Sequence, residues 1–196
     1  MSLTRFATQA MADFQSTAAV APSSRYLARE MVRPLPLASA RTVVELGPGT
    51  GVMTEALLDL LPANSTVLAF EISGSFVRHL REKFDDARLD IVHAGAETAG
   101  EELRRRGITR VDAVLSSLGS SLMPDGMMQT ILAGLDPFLD SESVFTQFQY
   151  MHRIRVHDGR LSYFDVEHLL REFFSDIRRS NVWINLPPAF VFDCRR

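Results

Sequence analysis

The sequence predicts an α/β chain: a seven-stranded, mostly parallel sheet with helices on both faces and an antiparallel hairpin at its C-terminal end. From Thr42 onward, short runs rich in β-branched and aromatic residues alternate with helix-period segments, the pattern of strands joined by crossover helices. The last two strand-like runs are separated only by Ile184–Pro188, too few residues for a parallel crossover, so they pair antiparallel. With 196 residues, 46% of them hydrophobic, the chain has material for one domain with a substantial core.

The strands, in order, are Thr42–Leu46, Thr66–Ile72, Leu89–His93, Val111–Ser116, Ser143–Tyr150, Ile177–Trp183 and Ala189–Cys194. Between them the apolar period predicts helices over Val52–Leu61, Ser75–Phe84, Ala99–Arg106, Gly126–Leu135 and Tyr163–Phe174, with Pro62, Gly107 and Pro137 as stops. Residues 1–40 precede this 41–196 domain as a helical segment. An amphipathic helix over 2–14, with Leu3, Phe6, Ala7, Ala10, Met11 and Phe14 on one face, leads through Ala21-Pro22-Ser23-Ser24 to a second helix, Arg25–Val32.

A net charge of −3 argues against a protein that coats nucleic acid, since such binding needs many phosphate-neutralising cations. From His152 to Arg196 the chain is mildly cationic, with eight arginines against six acids. No run approaches the roughly 18 apolar residues of a spanning helix, and the first residues lack a secretory pattern, so a cytoplasmic location is expected. Cys194, the single cysteine, has no partner for a disulfide or a metal, and no metal is expected.

The chemistry is concentrated after the first strand, where Glu45-Leu46-Gly47-Pro48-Gly49-Thr50-Gly51 leads into a helix. Glycines belong where the backbone turns sharply and a ligand must approach the main chain. Twenty residues past Gly51 stands Glu71, placed to accept hydrogen bonds from both hydroxyls of a ribose, with Ile72 beside it. Together they indicate a nucleoside-containing cofactor. A dinucleotide fingerprint needs G-x-G-x-x-G/A, but the sixth position is Val52 counted from Gly47 and Thr54 counted from Gly49. The loop also lacks the lysine of a phosphate-binding P-loop.

E-x-G-x-G-x-G resembles the first motif of the class I methyltransferases, which implies a Rossmann-like fold and S-adenosylmethionine as cofactor. In that family the acid, here Glu45, orients the loop near the methionine amino group. The resemblance places Ala96 and Glu97 near adenine, although the family's usual G-D-A reads Ala94-Gly95-Ala96 here, with Gly95 in the acid's place. It places Ser116 where the substrate-side loop begins.

The string E-L-G-P-G-T-G is shared with the rRNA adenine dimethyltransferases, but their N-P-P-Y-like base grip after the fourth strand is replaced by Ser116-Ser117-Leu118-Gly119. A fuller resemblance is to the bacterial phospholipid N-methyltransferases, carried by Ala18–Ser24, V-E-L-G-P-G-T-G, S-x-L with Met-Pro (Ser117–Pro124), Gln147–Tyr150 and the terminal Asn185-Leu186-Pro187-Pro188. It implies transfer of methyl groups to a phosphatidylethanolamine-like headgroup amine, and peripheral contact with the inner face of a membrane. The helix over 2–14 is a candidate for that contact.

An attacking amine must be uncharged, and Tyr150, Tyr26 and His152 are candidates to take its proton. Arg153, Arg155 and Arg179 are candidates for a lipid phosphate. Two other readings stay open: a methyltransferase of a soluble small molecule, and a non-catalytic protein that binds S-adenosylmethionine.

Overall fold

A computed structural model describes residues 24–151, 154–157, 160–163 and 165–196; the helix expected over 2–14 and His152 lie outside these residues. In chain order the elements are α1 (Arg25–Val32), β1 (Thr42–Leu46), α2 (Val52–Leu58), β2 (Thr66–Phe70), α3 (Gly74–Lys83), β3 (Leu89–Val92), α4 (Ala99–Arg105) and β4 (Ala113–Ser116). There follow α5 (Met127–Leu135), β5 (Val144–Tyr150), β6 (Ile154–His157), β7 (Arg160–Tyr163), α6 (Val166–Leu170), β8 (Asp176–Val182) and β9 (Ala189–Arg195). Seven strands form one sheet in the order β3-β2-β1-β4-β5-β9-β8. The first five run parallel, and β9 lies antiparallel between β5 and β8. This is the predicted fold class, hairpin included.

Strand alternation sends successive side chains to opposite faces, and each face has its own apolar layer. Val44, Leu46, Val114 and Phe145 pack against α4 and α5. Val43, Leu115, Val144 and Phe148 pack against α1 and α2. Helix α1 contributes Leu27, Ala28, Met31 and Val32 to the second layer, and burial of each large side chain stabilises by about 1.5–3 kcal/mol. Ser24 caps this helix, its Oγ accepting from the Leu27 N–H at 3.2 Å.

On the other face, α4 and α5 touch backbone to backbone. A Cβ on Gly100 would stand 2.8 Å from the Gly134 carbonyl carbon, so α4 cannot carry a side chain at the crossing, whereas a Cβ on Gly134 would come no nearer than 3.9 Å to Gly100. Gly100→Ala is therefore expected to destabilise the protein by about 1–3 kcal/mol, read as a lower denaturation midpoint with unchanged slope. A midpoint equal to the parent's would show that the helices separate without cost.

The structure corrects one segment. The expected helix Tyr163–Phe174 is shorter, Val166–Leu170, and Tyr163 ends β7, which pairs with β6 in a separate two-stranded ribbon. The sequence carried a signal for that ribbon: alternating residues on either side of Asp158-Gly159, a strong hairpin pattern. Helical period in 163–174 obscured it.

Candidate active site

In the order β3-β2-β1-β4-β5, chain direction across the sheet reverses between β1 and β4. Ligands of open α/β sheets bind in the crevice beyond the carboxyl ends of such strands. The loop after β1 opens there. Gly49 has φ +56, a conformation that side chains disfavour, and a Cβ on it would meet no atom within 4 Å. Its open side is a surface over which a ligand can lie against the main chain. Gly51 is the reverse case, since at φ +78 its Cβ would stand 2.9 Å from a Leu80 methyl and overlap the Phe84 ring. Pro48 is buried and Thr50 exposed.

Glu45 shares strand parity with Val43 and so faces α2, where Thr54 Oγ1 donates to its Oε2 at 2.8 Å. The carboxyl group is fully buried, and Oε1 has no hydrogen-bond partner among the described residues. Burial pushes its pKa up to about 8, Thr54 opposing and the charge of Glu71 adding to the rise.

Glu71 lies just past β2, buried, with both oxygens engaged. Oε2 accepts from the Gly49 N–H at 3.1 Å and Oε1 from the Ser73 N–H at 2.8 Å. Burial raises its pKa too, while these backbone donors, and more weakly His93, hold it down. The acid expected to meet a ribose thus also fastens the glycine loop, a role its sequence position does not reveal. Ile72 is half-buried beside it.

After β3, Ala96 is buried in a short 3-10 turn, Ala96–Thr98, and Glu97 folds back over Gly95. A Cβ on Gly95 would stand 2.6 Å from Glu97 Cδ, so the Glu97 carboxylate fills the volume that a side chain at position 95 would claim. The acid missing at 95 is replaced in space by one two residues later. Glu97→Ala is expected to weaken binding of the adenosyl group on the order of tenfold by calorimetry, and Gly95→Asp combined with Glu97→Ala to recover much of it. Gly95→Asp alone puts two carboxylates in one volume and is expected to bind worse than either.

At the carboxyl end of β4, Ser116 stands directly opposite Gln147, midway along β5. Gln147 Nε2 donates to the Leu118 carbonyl at 3.0 Å and to the Phe148 carbonyl at 2.7 Å, bracing the loop after β4. In this pair of strands and the loop after β4, Ser116 Oγ, Ser117 Oγ and Gln147 Oε1 are buried oxygens with no partner among the described residues, as is Thr146 Oγ1. Tyr150, half-buried at the end of β5, packs edge-on to Phe148 at 5.2 Å, and burial raises its phenol pKa. Tyr26 is exposed on α1. Arg179 already lies over the Phe190 ring at 4.8 Å and 3.5 Å from Glu167, so this phosphate candidate is engaged. Arg153 lies outside the described residues, as does the side chain of Arg155. The described residues contain no cluster of three or more potential metal ligands.

Comparison with known proteins agrees with this geometry. The family described as Ribosomal RNA adenine dimethylase matches residues 23–99. An ornithine lipid N-methyltransferase of Singulisphaera acidiphila is 31% identical over 179 residues, covering 91% of this chain and 88% of the relative. The chain belongs to the class I S-adenosylmethionine-dependent methyltransferases.

Two solved structures share the fold of this methyltransferase. A precorrin-6y C5,15-methyltransferase from Geobacter metallireducens has a TM-score of 0.66 at 19% identity, covering 92% of this chain and 93% of the other. The glycopeptide N-methyltransferase MtfA, solved with S-adenosyl-L-homocysteine, also has a TM-score of 0.66, at 16% identity, covering 96% and 98%. The residues of this methyltransferase fit the cofactor physically. Glu45 Oε1 is a buried acceptor awaiting a donor, and Gly49 leaves its open side for a ligand. Glu45 and Glu71 are two buried acidic groups beside the loop, and a cationic ligand placed against Glu45 would draw it from its protonated form to the carboxylate.

Proposed function

We propose that this methyltransferase acts on the amine of a membrane lipid headgroup, phosphatidylethanolamine-like in kind. The observation that carries this reading is the reach of the similarity to the ornithine lipid N-methyltransferase, which spans 91% of the chain and so includes the substrate half of the sheet. The rRNA adenine dimethylase match stops at residue 99, ahead of β4, and speaks only for the cofactor half.

When bound, the cofactor supplies an electrophilic methyl group on a sulfonium. The attacking amine must be uncharged, so the site has to orient it with its lone pair free and let a proton leave. Glu45 and Glu71 hold the glycine loop and its ligand in register, with Gly47, Pro48, Gly49, Thr50, Gly51, Ile72, Ala96 and Glu97 completing the cradle. Ser116, Ser117 and Gln147 place neutral oxygens around the carboxyl end of β4, suited to orienting an uncharged amine through its N–H groups. Tyr150 keeps its own proton at neutral pH, so it serves as a neutral hydrogen-bonding group rather than a phenolate base. The proton then passes to water at the mouth of the site.

The test is incubation with methyl-labelled cofactor and, separately, vesicles of phosphatidylethanolamine, vesicles containing ornithine lipid, and soluble ethanolamine. Label in phosphatidylethanolamine is the expected result. Label in ornithine lipid alone would move the headgroup assignment, and label in soluble amine alone would overturn the lipid reading.

A further inference from the structure

We infer that the tip of the β8–β9 hairpin, Trp183 to Pro188, is the face through which this methyltransferase docks on a lipid bilayer, with Arg25 and Tyr26 of α1 beside it. The inference rests on the lipid-headgroup reading and names the surface that such a substrate demands.

The tip is inside out. Trp183 is 68% exposed, Ile184 65% and Leu186 77%, while Asn185 between them is only 8% exposed. Folding ordinarily places the amide outside and the aliphatics within. Here the inversion is built by hydrogen bonds. Asn185 Oδ1 accepts from the Ser24 N–H at 3.1 Å, its Nδ2 donates to the Pro187 carbonyl at 2.6 Å, and Ser24 Oγ donates to the Ile184 carbonyl at 3.0 Å. These bonds hold the apolar side chains outward, and bind the tip to the N-terminus of α1, where Tyr26 is 56% exposed. Among the described residues the other exposed large hydrophobic side chain is Leu60, beyond the far end of α2. Scattered single residues need no explanation, but a tryptophan and two aliphatics on one tip, with a tyrosine on the helix whose capping residue is hydrogen-bonded to it, do.

Position and charge select the occupant. Ala189 pairs with Tyr150 at the carboxyl end of β5 and with Val182 at the end of β8. The tip therefore projects from the sheet edge that carries the glycine loop and Ser116–Leu118. A bilayer resting on it faces the mouth of the site. Tryptophan and tyrosine favour the membrane–water boundary, where ring and polar group find separate surroundings. Arg25 is exposed, makes no ion pair with a described residue, and suits an anionic lipid surface.

Trp183 is the only tryptophan in the chain, so intrinsic fluorescence reads this tip without labelling. The full chain is mixed with vesicles of phosphatidylcholine and phosphatidylglycerol, which contain no headgroup amine open to methylation. Docking predicts sedimentation with the vesicles, a blue-shifted Trp183 emission, and quenching by acyl-brominated lipid. The double variant Ile184→Ser, Leu186→Ser is expected to bind vesicles on the order of tenfold less tightly, with unchanged affinity for S-adenosylhomocysteine as proof of folding. Vesicle binding without a Trp183 shift, no vesicle binding, or self-association that buries Trp183 without lipid would each overturn the docking assignment. Docking with no label transferred to any lipid would overturn the substrate reading and leave the docking face standing.

Discussion

Glu71→Ala is expected to weaken binding of S-adenosylmethionine by on the order of a hundredfold or more, the largest loss from any single side chain outside the glycine loop. Two effects combine. The carboxylate proposed to hold the ribose disappears, and the Gly49 and Ser73 N–H groups lose the acceptor that shapes the loop. Hydrogen bonds to a charged group contribute about 1.5–3 kcal/mol each, so two suffice for the predicted loss. Glu71→Gln separates the contributions, because an amide retains one acceptor oxygen and places an N–H against one of the two backbone donors. It is expected to fall between parent and alanine. Calorimetry with S-adenosylhomocysteine is the measurement, and an alanine variant within threefold of the parent would remove Glu71 from the site.

The second large effect is a pH dependence centred on Glu45. Its carboxyl titrates near pH 8 in the free protein, so at pH 6 it is protonated and must release that proton to pair with a cationic amino group. Affinity for S-adenosylhomocysteine is expected to rise by up to about tenfold per pH unit between 6 and 8 and to level above that. Stability of the free protein runs the other way. The group's folded pKa lies above its usual 4.5, so its contribution is fully present below pH 4.5 and is lost as pH rises through about 8. Glu45→Gln is expected to flatten both profiles and to stabilise the free protein above pH 8, while binding the cofactor poorly at every pH. Titration of ligand affinity and denaturation midpoint across this range checks both signs. A Glu45→Gln protein that kept the parent's slopes would assign the dependence to another group.

The features legible in the sequence were those set by local pattern. Alternation of strand and helix, the short Ile184–Pro188 link and the spacing from Gly51 to Glu71 each depend on neighbours in the chain, and each stands in the structure. What escaped was set by contacts between distant segments. Gly95 reads as a departure from the family, with Glu97 named near adenine, and only the fold shows the Glu97 carboxylate lying over Gly95. Trp183 reads as the end of a core strand and Ile184 as the start of its link, and the hydrogen bonds to Ser24 that fix this tip, about 160 residues away, leave no local trace. Glu71 fastening the glycine loop depends on where β2 ends relative to β1, a register that no local pattern specifies. The β6–β7 ribbon is the exception, since Asp158-Gly159 between two alternating runs is a local hairpin signal, in competition with the helical period of the residues that follow.

The placement of β9 between β5 and β8 makes it the seam of the sheet. Among the described residues β8 joins the sheet through β9 alone, so the Trp183–Pro188 tip stays at the site end of the sheet only while β9 is seated beside β5. Cys194 lies fully buried within this strand, its thiol pKa pushed up by burial, so it stays inert until β9 leaves the sheet. As the chain's one thiol, it is a native clock: the rate at which a thiol reagent captures it reports how often the seam beside the substrate half of the site comes open.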